Sequence, residues 1–583
     1  MRCSAAFFLV VNCGLIAPAF AVDFTACFDD IRAGVYGPNG GTDAYGQPVS
    51  NISTAVGITY ALCQSACGKG AESMEWSVFV PNFSTWLLPW LALISQLPFG
   101  AGDRLENLTS ALLAVGSPML AAYSLAITIL NCRWAAQRLS DIRYPNVHHA
   151  FRIMNSLQQA PLRIIKEDGL LESLVILPEN DVWWSDLSEG LNYHQSWSIS
   201  AGMSLTWVFL AYLFTVIDTF TNIPPNTTGP FFSSDGQAVG AVWFWLFPVV
   251  VGWQLISPKC ESGRLKHALL HANSNVYAAS NSGPQKTDTD VRAFTLYHAS
   301  EDSMLGDAKY TAPIFNYARV LPWTQNVEHV ASVFRCASNH ARNHQRVDGR
   351  PRATWVEGTE IQPDNRRGTP EQVISYCTSS FPNKRSHWGP GVWSRMLIAS
   401  LIALLLQWCT TGAAIIISYY TPTVGLSCRS GMYLTYASTS VLIWMLLVTS
   451  SILTHLLSAP KLTGSTSQDT DHDTIHFTQP LPHLQTFIRM LAIFLRRLGK
   501  ILATCNAIWI VMACVFQFTK FFTRCFCNSS VIGLGSGAYD VIIITASEVK
   551  GPWIGGVALA LGSAFLFILF VNLFINPMPT RSP

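Results

Sequence analysis

Eight stretches of this 583-residue chain hold no Asp, Glu, Lys or Arg: 76–102, 108–130, 197–217, 237–258, 396–428, 430–460, 501–519 and 551–580. A helix rising about 1.5 Å per residue needs about 20 mostly apolar residues to cross ~30 Å of hydrocarbon. Every stretch is long enough, and no soluble fold needs eight of them. Composition agrees: 50% of residues are hydrophobic and 12% charged, against about 25% charged in soluble domains. With a mean hydropathy of +0.28, this excludes a disordered protein, a coiled coil, a collagen and an ordinary cytosolic enzyme. The net charge of +2 gives no global attraction to nucleic acid. The expected fold class is an all-α integral membrane protein of seven transmembrane helices, with eight as the rival count.

The N-terminal segment 1–21 reads as a signal peptide. Arg2 supplies the charge, Ala5 to Ile16 is largely apolar, and Ala19-Phe20-Ala21 offers small residues for cleavage before Val22. The chain from Val22 onward then starts on the external side. If all eight stretches crossed, the loops 131–196, 259–395 and 461–500, with 6, 17 and 5 Lys+Arg, would lie outside, against the positive-inside bias. If the stretch 83–102 does not cross, all three turn cytosolic. Pro89 and Pro98, followed by Gly100 and Gly102, mark that stretch as bent or re-entrant, since an interior proline removes a helical hydrogen bond.

This topology has a small external Cys-containing region at 22–82 and a proline-broken segment at 83–102. Crossings are expected at 107–131, 197–220, 237–258, 396–419, 431–457, 500–519 and 551–575, with a cytosolic tail at 576–583. The cytosolic loops are 132–196, 259–395 and 458–499, and 520–550 is external. The glycosylation candidates Asn51, Asn82, Asn226 and Asn528, with Asn107, begin the Asn-x-Ser/Thr triplets, and all fall outside in this topology. So do the disulfide candidates Cys27, Cys63, Cys67, Cys428, Cys525 and Cys527. Cys27 can pair with Cys63 or Cys67, and six cysteines allow about 15 pairings. Cys260, Cys336 and Cys377 are expected as accessible cytosolic thiols.

Chemistry-bearing motifs are sparse. Cys336, His340 and His344 repeat every four residues, as do His267 and His271. Such spacing can share a transition metal, but the intervening Arg342 and Asn343 suggest a solvated face, so no metal or cofactor is expected. No Gly-x-Ser-x-Gly, His-Glu-x-x-His, Walker or kinase motif is present, which leans away from an enzyme. Within the apolar stretches, His455, Gln254, Gln407, Asn506, Gln517 and Asn572 are polar, which helix–helix hydrogen bonding accounts for.

The segments WLLPWLALISQLPFGA (86–101), GSPMLAAYSLAITILN (116–131), GQAVGAVWFWLFPVVVGWQLISPKC (236–260) and APIFNYARVLPW (312–323) resemble uncharacterised multi-pass membrane proteins of filamentous fungi. That resemblance implies a fungal membrane protein with a signal peptide and supplies no activity. The expected function is receptor-like, or that of an interaction scaffold. Its partners are the lipid bilayer and a cytosolic protein bound through 259–395, without nucleic acid. The alternative is a solute or ion transporter using the broken 86–101 segment.

Overall fold

The computed structural model describes residues 22–100, 104–165, 169–193, 199–221, 230–287, 292–296, 311–350, 361–378, 388–457, 482–544 and 546–575. The expected signal peptide, Asn226 and the 576–583 tail lie outside these. Eight helical runs among the described residues are long and apolar enough to cross a membrane. The chain is an all-α polytopic protein. Its outward faces carry Leu405 (64% exposed), Phe565 (66%) and Leu573 (64%), side chains suited to lipid contact and costly in water.

The bundle is built from α1 (Trp76–Ile94), α2 (Arg104–Gly116), α3 (Pro118–Leu139), α4 (Ile199–Thr221), α5 (Pro230–Trp243), α6 (Leu246–Ile256), α7 (Val392–Tyr420), α8 (Cys428–Leu457), α9 (Pro482–Phe518) and α10 (Ala546–Ile575). A cap sits at one end. There a three-stranded antiparallel sheet joins Gly41–Thr42, Gly57–Thr59 and Tyr539–Val541, over a core that includes Ile31, Ile58 and Ile542. A lobe with its own hydrophobic core sits at the other end. Trp183, Trp184, Phe294 and Phe334 are buried there beside residues from three separate stretches of chain.

The irregular element is not where the prolines suggested. α1 is one helical run with a single wide turn at Phe83–Leu87, in which the Leu88 N–H bonds the Phe83 carbonyl. That wide turn already interrupts the i→i−4 ladder, so Pro89 follows it without ending the helix. Pro98 lies beyond the helix end. α1 runs the length of the bundle. Glu75 at its start bonds Lys520 beside the cap, at 2.8 Å. Beyond its far end the Gln96 carbonyl accepts from Gln254, at 3.3 Å. Gly100, at φ +66°, abuts Cys260 so closely that a Cβ would sit 2.4 Å from the Cys260 Cβ.

The break lies instead inside the expected 107–131 crossing. α2 starts four residues past Gly100, at the lobe end, and its 13 residues reach only about 20 Å. It stops at Gly116, beside Ala503 in the middle of α9. Ser117 then caps α3, with Pro118 at its first position. Gly at a helix end, Ser as N-cap and Pro at N1 are the residues that end one helix and start another. The hairpin α2–α3 therefore enters and leaves the bundle at the lobe end. A second difference concerns α9: the expected loop 458–499 contributes its last 18 residues to one continuous helix, Pro482–Phe518.

Candidate functional site

Breaking a helix inside an apolar bundle frees backbone groups that must be matched by protein. At the hairpin apex they are. The Val115 carbonyl accepts from the Tyr436 hydroxyl at 2.6 Å, and the Gly116 carbonyl accepts from Asn506 at 2.7 Å. Ser117 Oγ accepts from the Leu120 N–H at 3.2 Å and donates to the Ser440 carbonyl at 2.9 Å. Ser440 Oγ donates to Gln407 Oε1 at 2.8 Å, and Gln407 Nε2 donates to the Ala437 carbonyl at 2.8 Å. The expected helix–helix role of Gln407 and Asn506 is what these contacts perform. Ser440 carries no comparable sequence signal, because a hydroxyl does not interrupt an apolar stretch.

A charged cluster lies nearer the cap. Arg429 Nε is 3.4 Å from Asp235, Gln517 donates to Asp235 at 2.6 Å, and Tyr433 donates to Gln517 at 2.8 Å. Arg429 also donates to Asn528 Oδ1 at 3.3 Å. A cavity of about 10 Å³ adjoins them, lined also by Ser418, Thr421 and Thr423, which is room for one water. Asp540, on the cap strand, is 2% exposed. Burial pushes its pKa up to about 7, with Arg429 and an Asn528 hydrogen bond opposing the rise. Lys520 bonds Glu72 at 3.0 Å and Glu75 at 2.8 Å. Burial draws its pKa down, and these two carboxylates outweigh that, leaving it above the usual lysine value. Asp235 and Arg429 fall at the edges of charge-free stretches, and no local pattern signals that they meet.

All six expected cysteines are paired at the cap end, as Cys27–Cys67, Cys63–Cys525 and Cys428–Cys527. The first joins two parts of the N-terminal region, the second ties that region to the segment after α9, and the third ties that segment to α8. Cys260, Cys336 and Cys377 form no disulfide, but the expectation of ready access fails for two of them. Cys260 and Cys377 are buried, and burial raises both thiols, Cys260 to about 12.

Of the glycosylation candidates, Asn51 is exposed and caps a short turn through Ser53. Asn82 is half-buried in the second turn of α1, donating to the Val78 carbonyl at 2.8 Å. Asn528 is 8% exposed and engaged by Arg429. Asn107 sits on α2, at the end of the bundle away from the cap.

The lobe is joined to the bundle by α3 and by polar contacts at its root. Gln159 donates to Thr128 at 3.0 Å, and Asn131 and Asn316 both donate to Gln158, at 3.1 and 2.9 Å. Farther along, Arg138 holds Glu328 through two bonds of 2.9 Å. Arg366, 3% exposed, clamps Asp181 at 2.7 and 2.8 Å. A groove of about 790 Å³ opens on the lobe, lined by His340, His344, Arg346, Arg350, Glu371 and Tyr376 among others. The Cys336, His340 and His344 register is broken here: the helix ends at Arg342, His344 takes φ +54°, and His340 Nδ1 contacts the Tyr376 carbonyl at 2.8 Å. Among the described residues no three His, Cys, Asp or Glu side chains are placed to hold a metal. His267 and His271 line a second groove of about 590 Å³ with Asp186 and Glu189.

No protein-family model, curated protein or solved structure matches this chain.

Proposed function

We propose that this chain is a membrane interaction protein of receptor or scaffold type, which presents the lobe to a cytosolic partner. On this reading the cap is external and the lobe cytosolic. Seven helical runs cross: Trp76–Ile94, Ile199–Ile217, Asp235–Ile256, Val392–Tyr420, Cys428–Leu457, His483–Phe518 and Val549–Ile575. The α2–α3 hairpin is re-entrant from the cytosolic side. The segregation of cysteines supports the orientation. The three disulfides gather at the cap, and Cys260, Cys336 and Cys377 near the lobe form none, as an oxidising exterior and a reducing cytosol require.

One observation carries the functional reading. α3 is a single helix whose first residues are fixed in the bundle by Ser440 and whose last residues lie in the lobe core with Ala135 and Leu139 buried. The lobe is thus an extension of the membrane domain, held at a set angle to it, and its groove projects charges of both signs. The test is partner capture by crosslinking in native membranes. The reversal pair Arg350→Glu and Glu371→Arg should abolish capture of a specific protein at unchanged expression. Capture that survives this pair removes the groove from the account.

The transporter reading moves from 86–101 to the hairpin. A helix start at the bundle centre is where interrupted-helix transporters bind substrate, and the break at Gly116 and Ser117 favours that second reading. Ion or amino-acid flux in reconstituted vesicles, reduced by Ser440→Ala, would establish it.

A further inference from the structure

Along the lobe-side half of α9, Arg489, Arg496, Arg497 and Lys500 follow one another at i, i+7, i+8 and i+11. At about 100° per residue these positions fall within one stripe roughly 16 Å long. Next to it runs an apolar stripe, Phe487 (62% exposed), Met490 (62%), Phe494 (60%) and Ile501 (61%). That stripe continues without interruption into the exposed face at Ile508 and Trp509. The third face packs inward, with the Ala492 carbonyl accepting from Ser450 and Gly499 against Leu447. The helix thus has an inner face, an apolar outer face and a basic flank.

Among the described residues, acidic side chains are scarce around the flank. Residues 482–518 contain no Asp or Glu, nor does α8 anywhere along Cys428–Leu457. α2, also packed on α9, brings one acid, Glu106, exposed at its foot. Arg489 and Arg497 are exposed and form no ion pair among the described residues. A protein needing only solubility here would not set the exposed Arg489 and Arg497 beside an exposed apolar stripe. A surface that is apolar on one side and anionic on the other meets both needs.

We propose that the lobe-side half of α9 is a binding surface for acidic phospholipids of the cytosolic leaflet. The Phe487–Phe494 stripe lies along the acyl chains, and Arg489, Arg496 and Arg497 engage the phosphate and carboxylate headgroups. The leaflet assignment rests on the orientation proposed above. Binding to acidic lipid does not, because it can be read in detergent without sidedness. Clusters of four or more cations just cytoplasmic of a crossing helix attract anionic leaflets, at about 1 kcal/mol per cation, which is roughly fivefold in partitioning.

The experiment is lipid retention by the full-length protein in detergent, read by native mass spectrometry with phosphatidylserine and phosphatidylcholine offered together. Wild-type protein should retain phosphatidylserine preferentially, with the preference falling as salt rises. The triple variant Arg489→Gln, Arg496→Gln, Arg497→Gln should lose preference by on the order of 100-fold, and the matching triple to Lys should keep most of it. No preference in the wild-type protein, or one unchanged by salt, overturns the proposal whatever the variants do. Equal competition by inorganic phosphate also overturns it, since the site would then hold a free anion. If retention succeeds but reagents reach the lobe from outside intact cells, the orientation fails and the lipid surface stands.

Discussion

Gly116 approaches Ala503 so closely that a Cβ on it would lie 2.0 Å from the Ala503 carbonyl oxygen. The obstacle is backbone, which cannot swing aside as a side chain would. Gly116→Ala should therefore separate α2 from α9, at a cost above the ~1–3 kcal/mol typical of overpacked cores. Thermal unfolding of detergent-purified protein should show a clear drop in Tm or a failure to purify. An unchanged Tm would mean that the apex does not sit against α9.

Removing the polar matches at the apex gives a graded series. Tyr436→Phe leaves the Val115 carbonyl without its donor, and an unmatched buried acceptor costs ~1–3 kcal/mol. Ser117→Ala removes an N-cap as well as the bond to Ser440, and loss of a cap costs ~0.5–2 kcal/mol. Because both side chains serve one hairpin, the double variant should lose less than the two losses added. Additive losses in a double-mutant cycle would show the contacts to be independent.

The hairpin also shows what the sequence carried and what it hid. Helical class, the number of apolar runs and the cysteine set could be read because charge-free length and residue type are local properties. The signals Gly116, Ser117 and Pro118 were equally local, yet the charge-free stretch runs straight through them, since none is charged. Pro89 is the more conspicuous breaker, although the wide turn at Phe83–Leu87 absorbs it. The Asp235 and Arg429 pairing was out of reach, because it joins residues distant in sequence through the packing of the cap end of the bundle. The 259–395 loop is long enough for a domain, with Trp323, Val330, Val333 and Phe334 available for burial. That these pack with Trp183, Trp184 and Phe294 into one core was equally out of reach, because the core joins segments distant in sequence.

The cap carries a pH dependence whose sign is set by Asp540. Its folded pKa, about 7, lies above the ordinary carboxyl value, so the folded state holds a proton that the unfolded chain releases. Stability is then highest below the unfolded value, falls as pH rises toward 7, and stays low above it. Asp540→Asn should remove that decline and raise the unfolding free energy at pH 8 by up to a few kcal/mol, at ~1.4 kcal/mol per pKa unit, with a matching rise in Tm. Lys520 acts in another window. Its raised pKa adds stability at neutral pH that disappears only as pH passes above the ordinary lysine range. Burial also lowers His148 and His149, so the difference between wild type and Asp540→Asn across pH 5 to 8, rather than the scan alone, reports Asp540. A variant with an unchanged pH profile would show Asp540 to be ionised and solvated.

Disulfide and glycan mapping can be done on one sample. Proteolysis without reductant should release linked peptides for Cys27–Cys67, Cys63–Cys525 and Cys428–Cys527, with Cys260 and Cys377 alkylated only after denaturation. Among the described sequons, Asn51 should be the occupied one. Asn528 should be bare in folded protein, because its amide is enclosed with Arg429. A glycan on Asn528, or Cys27 linked to Cys63, would contradict the packing of the cap.

The sidedness of the hairpin separates the structure's arrangement from the one in which 107–131 crosses. If α2 began outside, a thiol at its foot would be reached from the medium. If α2–α3 enters from the lobe side, the same thiol stays protected until the membrane is opened. Leu105, 69% exposed at the foot of α2, and Tyr45, 82% exposed on the cap, are the reporters, with Ser282 on the lobe as a third. In a background lacking the free cysteines, a membrane-impermeant maleimide applied to intact cells should label Tyr45→Cys alone. Leu105→Cys and Ser282→Cys should label only after permeabilisation. Labelling of Leu105→Cys from outside, with Ser282→Cys protected, would restore 107–131 as a full crossing. Labelling of both from outside would place the lobe outside the cytosol. The distinction rests on the 13 residues of α2, which at about 1.5 Å each take the chain to Ala503 and no farther.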